Sequence, residues 1–141
     1  MRIKWKNIIF LIVFAFLSLW VYPLILGYWT ALNIPLLSSL PKNKIIILTG
    51  RSIGSAIGVV ICAFVLAFPM GYLTKQQPKI LGAALGVIST IAYFFLYPTP
   101  LQEFDWFVGT IAILEHAAFV AGCIVFTVMG CRVATRRLGN G

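Results

Sequence analysis

The chain has 141 residues, 61% of them hydrophobic and 10% charged, with a formal net charge of +8. Soluble domains run at roughly 45–50% apolar and about 25% charged, so a soluble fold that hides this much apolar surface is excluded. Such a positive balance would elsewhere point to nucleic acid. Beside apolar runs of this length, the Lys and Arg residues read instead as charges that hold loops on the cytoplasmic side of a membrane, and no nucleic-acid partner is expected.

The first segment, Met1-Arg-Ile-Lys-Trp-Lys6, is basic and leads into the charge-free run Ile8–Gly27. That run is too long for a cleaved signal and no small-x-small cleavage pattern follows it, so it reads as an uncleaved first transmembrane helix. Pro23 near its outer end removes a backbone donor and is expected to kink it locally.

Residues 28–47 read as the one sizeable outer loop, because Pro35, Pro41 and Asn43 are turn formers that break a long helix. Its stretch Ile34–Pro41 is apolar enough to lie on the membrane surface, against another protein or on its own bundle. The second helix is expected over 48–73 and is charge-free from Ser52 onward. A start near Lys44 would sink Arg51 about two turns into the helix, within the outer half of the bilayer. Pro69 near its inner end is a second expected kink.

The third helix is expected over 80–97, followed by a short loop with Glu103 and Asp105, and the fourth over 107–130. Each run is close to the ~20 residues that cover a ~30 Å hydrocarbon core, and none alternates with period two, so helices are indicated and barrel strands are not. The expectation is an all-α integral membrane protein, one domain over 1–141, built as a four-transmembrane-helix bundle.

Four crossings put Arg2, Lys4, Lys6, Lys75, Lys79, Arg132, Arg136 and Arg137 on one side, against Lys42, Lys44 and Arg51 on the other. That asymmetry places both termini in the cytoplasm. Trp20, Tyr22, Tyr28, Trp29, Tyr93, Tyr97 and Trp106 are expected at the outer headgroup level, and Trp5 and Tyr72 at the inner one.

Glu115 and His116 are the ionisable residues well inside an apolar run, roughly two to three turns from the outer end of the fourth helix. A charge near a helix centre costs about 2.5–3.5 kcal/mol to insert, so such a group faces the bundle interior and takes a partner. Three roles are open to Glu115: an ion pair with Arg51 across the second and fourth helices, a protonated carboxyl serving a proton or cation pathway with His116 as relay, or a contact with a partner subunit or lipid headgroup. Neighbours on a helix point about 100° apart, so Glu115 and His116 lie on different faces.

With one histidine, two-histidine haem ligation is impossible within the chain, and no metal or other cofactor is expected. Cys62, Cys123 and Cys131 lie at mid-membrane or cytoplasmic depth and read as small apolar packing residues. Ser18, Ser52, Ser55 and Ser89 have no histidine partner at a matching depth, so no hydrolytic arrangement is read. Small residues recur at helical spacing as Gly50, Gly54 and Gly58, as Gly82 and Gly86, and as Ala118 and Gly122, a pattern that lets helix backbones approach closely in lipid.

These features point to a non-enzymatic, multi-pass protein of a bacterial inner membrane. Its partners would be the lipid bilayer and other membrane subunits or itself, and its role that of an accessory or assembly subunit or of an immunity-type binder. The alternative is a small homo-oligomeric transporter or channel using Glu115, with His116, for proton or cation coupling.

Overall fold

A computed structural model describes residues 4–39, 43–96 and 106–139. Among them the chain is helical, with α1 over Trp5–Ser38, α2 over Lys44–Thr74, α3 over Pro78–Leu96 and α4 over Trp106–Gly139. All four are long and apolar enough to cross a membrane, which is the construction of a multi-pass membrane protein. In hydrocarbon a backbone group without an internal partner costs several kcal/mol, so apolar sequence of this length resolves into helices.

The helices run further than the charge-free segments. α1 continues through Tyr28, Trp29 and Pro35 to Ser38, so most of the expected 28–47 loop is helix. The reason is tertiary: the Trp29 indole donates from Nε1 to the Gly54 carbonyl of α2, and Asn33 lies beside Gly54. Asn33 Nδ2 also donates back to the Trp29 carbonyl at 2.7 Å. One proline removes only its own donor, which docking at this end outweighs. α2 takes the earlier start at Lys44. α4 extends past Gly130 through Arg132 and Arg136 to Gly139, where cations complement the helix C-terminal dipole.

Consecutive contacts set direction. Gly58 meets Leu26 and Trp29 while Gly54 meets Asn33, so α1 and α2 are antiparallel; Gly82 meets Cys123 and Gly86 meets Val120, so α3 and α4 are too. Gly122 meets Ala63 and Gly71 meets Thr127, which makes α2 and α4 parallel. Ser18 with Ser89 and Tyr22 with Tyr93 make α1 and α3 parallel. α2 packs extensively on α1 and α4, α3 packs on α1 and α4, and α2 touches α3 only sparingly. Around the bundle the order is therefore α1, α2, α4, α3, and helices joined by a tight turn lie across a diagonal. One end, here the terminal end, carries Trp5, Thr74, Pro78 and Gly139; the loop end carries Ser38, Lys44, Leu96 and Trp106.

The α2–α3 turn forces Lys75 to φ 54° and Gln77 to φ 47°, the left-handed region that costs a non-glycine residue roughly 1–2 kcal/mol. Lys75 N donates to the Gly71 carbonyl at 3.2 Å, closing α2. Leu81 N donates to the Gln77 carbonyl at 3.1 Å, with Pro78 in the first helical position, where its missing donor is harmless.

The core runs along α2 as Val59, Cys62, Ala63, Leu66, Ala67 and Met70, a four-three alternation that keeps one face inward, and is completed by Leu81, Leu85, Phe119 and Cys123. The outward face of α1, with Ile9, Ile12, Phe16, Trp20 and Leu24, is exposed, as a lipid-facing helix surface is.

Candidate functional site: a hydroxyl-lined cleft around His116

α4 presents His116, Phe119, Cys123, Thr127, Gly130 and Ala134 along one face, and every one of these after His116 is buried. The periodicity thus turns His116 inward. Glu115, about 100° around, leads the neighbouring shoulder with Ala118 and Gly122, and Gly122 abuts Ala63 of α2. Glu115 is half-buried and lies near Tyr22 and His116.

The His116 ring is enclosed by three others. Tyr22 lies nearly parallel to it, with centroids 6.0 Å apart and planes 15° apart. Tyr93 stands at 5.5 Å and Phe94 at 4.7 Å, both tilted by about 50°. Tyr22 also packs edge-on against Tyr93 and Phe119, each at 5.1 Å. Tyr22 was expected at a headgroup level because the first helix was expected to end at Gly27. With α1 reaching Ser38, Tyr22 falls at mid-helix and is only 5% exposed. Tyr93 likewise packs inward against the core.

Beneath these rings α1 and α3 are joined by hydroxyls. The buried Ser18 Oγ lies 2.6 Å from the Ala15 carbonyl and 2.7 Å from Ser89 Oγ. A carbonyl only accepts, so Ser18 spends its one hydrogen there and Ser89 donates to Ser18. Ser18, Leu19, Tyr22, Ser89, Thr90, Tyr93, His116 and Phe119 together line a cleft of about 220 Å³, counting the open space at its mouth. The serines read as lacking a histidine at matching depth in fact share this cleft with His116. Sequence reasoning missed the cleft because Ser18 and the Ser89-Thr90 pair are sparse polar residues in apolar runs, and no local spacing says that α1 and α3 run side by side.

The other expected positions are spread along α2, α3 and α4. In the parallel α2–α4 pair, Gly122 meets Ala63, so Glu115 stands level with Ala56, and the Arg51 backbone lies about 7.5 Å further toward the loop end. The Arg51 side chain is outside the described residues. Of the small residues, Gly82, Gly86 and Gly122 sit where an added Cβ would come within 3 Å of α4 or α2 atoms, and Gly58 lies tight against Trp29. Gly54 has ordinary van der Waals room, Gly50 is half-exposed and Ala118 packs against the core.

Two closer approaches were missed. A Cβ on Gly71 would run into the Thr127 carbonyl, and one on Gly130 into the Phe68 carbonyl. The signal existed: Ala63, Ala67 and Gly71 recur at every fourth position, as do Gly130 and Ala134. Cys62 and Cys123 are fully buried and Cys131 is half-exposed. Among the described residues, no three His, Cys, Asp or Glu side chains gather as a metal site. Comparison with models of known protein families, with curated proteins and with solved structures finds no match to this chain.

Proposed function

We propose that this chain works without catalysis, as an accessory or assembly subunit of a complex in a bacterial inner membrane or as an immunity-type binder, with both termini cytoplasmic. One observation carries the reading. Toward the terminal end from the His116 cleft, Leu66, Met70, Leu81, Leu85, Phe119 and Cys123 fill the bundle interior with at most 2% exposure each, and Thr127 turns its hydroxyl onto the Cys123 carbonyl at 2.7 Å. Such a plug offers no continuous polar lining for an ion or solute, so the surfaces left to act are outward ones, toward lipid and neighbouring proteins. In this reading an Arg51–Glu115 pair steadies α2 against α4.

Native mass determination after gentle extraction from the source membrane tests the proposal, with co-purifying polypeptides as the expected outcome. A lone chain or a symmetric homo-oligomer would remove it. The orientation is checked by a cysteine at Ser39, which labels from outside intact cells if the termini are cytoplasmic; labelling only after lysis reverses the topology.

A second reading, a homo-oligomeric proton- or cation-coupled transporter, is favoured by the half-buried Glu115 beside a hydroxyl-lined cleft. Loss of flux in Glu115→Gln with assembly intact would establish it. Equal loss of assembly in Glu115→Gln and Arg51→Ala, coupled in a double-mutant cycle, would instead support the ion pair.

A further inference from the structure

We infer that the cleft beside His116 holds one buried water molecule, which bridges His116 Nδ1 to the Thr90 hydroxyl and so ties α4 to α3 through hydrogen bonds that neither side chain makes directly. The inference is independent of either functional reading.

Two orphaned polar atoms on facing helices point to it. His116 Nδ1 and Thr90 Oγ1 are both buried from solvent and neither has a hydrogen-bond partner, a costly condition because each group gives up its hydrogen bonds to water without replacement. Thr90 differs from the buried helical threonines Thr74 and Thr127. Thr74 bonds back to the Met70 carbonyl at 2.9 Å, and Thr127 and Thr135 bond back to Cys123 and Cys131. Thr90 has the Gly86 carbonyl four residues behind it, yet its hydroxyl takes no such bond and lines the cleft. The His116 ring is flanked by the rings of Tyr22, Tyr93 and Phe94, none of which satisfies its Nδ1.

Size selects the occupant. The enclosed part of the cleft has room for about one water molecule, and the surrounding rings leave no space for an organic ligand there. Apolar cavities of this size stay dry, whereas a polar one fills when two to four partners converge. Ser18 and Ser89 line the same space as His116 and Thr90. Water also suits either tautomer of a neutral imidazole, because it donates to an unprotonated Nδ1 and accepts from a protonated one.

His116 is the chain's only histidine, so nitrogen-15 histidine labelling gives a single imidazole to observe in lipid nanodiscs. Magnetisation transfer from water protons to the His116 ring is expected in the wild type. It should persist in Thr90→Ser, which keeps the hydroxyl, and disappear in Thr90→Val, which removes it at nearly constant volume. Absence of transfer in the folded wild type, or undiminished transfer in Thr90→Val, overturns the inference. Should Thr90→Val not fold, Thr90→Ala makes the same comparison with the same two readings.

Discussion

Toward the terminal end α2 and α4 meet backbone to backbone, with Gly71 on the Thr127 carbonyl and Gly130 on that of Phe68, whereas around His116 the helices meet through hydroxyls and rings. Lipid supplies no hydrophobic drive between helices, so association rests on close van der Waals packing and interhelical hydrogen bonds. This bundle uses the first at one level and the second at another. The glycine seam is geometrically strict, because a carbonyl cannot move aside without bending its helix. The polar level is chemically strict and sterically lenient, since a lost hydroxyl leaves a gap and no clash.

The largest effect should therefore come from a single added methyl in the seam. Gly71→Ala and Gly130→Ala are each expected to cost about 3 kcal/mol, the upper part of the range for overpacking a closed core, as read by reversible unfolding in mixed micelles. A cost under about 0.5 kcal/mol, the range of unconstrained surface changes, would mean that the helices do not touch there. Near the same end, Gln77→Gly should stabilise by about 1 kcal/mol, because glycine adopts positive φ freely; a loss of stability in the same assay would show that the turn is not left-handed.

Smaller effects belong to the polar level. Ser18→Ala removes the bond to Ser89 and is expected to cost about 0.6 kcal/mol, the average for interhelical hydrogen bonds in membranes. A cycle with Ser89→Ala should return most of that as coupling, and zero coupling would separate the two residues. The smallest effect marks open space. Gly27 has nothing within 4 Å of an added Cβ, so Gly27→Ala should change stability by no more than about 0.5 kcal/mol and toward stabilisation. A large loss would mean that another surface packs on α1 at that point, and would itself locate a partner.

How far the sequence could be read follows the same division. Gly82, Gly86 and Gly122 stood out because four-residue spacing is local. Gly71 and Gly130 carry the same four-residue signal with alanines as Gly122 does with Ala118, but that each faces a carbonyl of the neighbouring helix is not written in either helix alone. Glu115 and His116 were visible as ionisable residues in apolar runs. That His116 faces hydroxyls from α1 and α3, while Glu115 sits on the shoulder toward α2, depended on which helices adjoin.

By itself the sequence determined that there are four long apolar helices and roughly where each lies, since the cost of leaving a backbone unbonded in hydrocarbon is local and adds along the chain. Only the tertiary structure decided the order α1, α2, α4, α3, the extension of α1 through Pro35, the burial of Tyr22 and the meeting of Ser18, Ser89, Thr90 and His116. Those outcomes rest on contacts between residues distant in the chain, whose energies depend on the fit of two surfaces, and no window along one helix contains both.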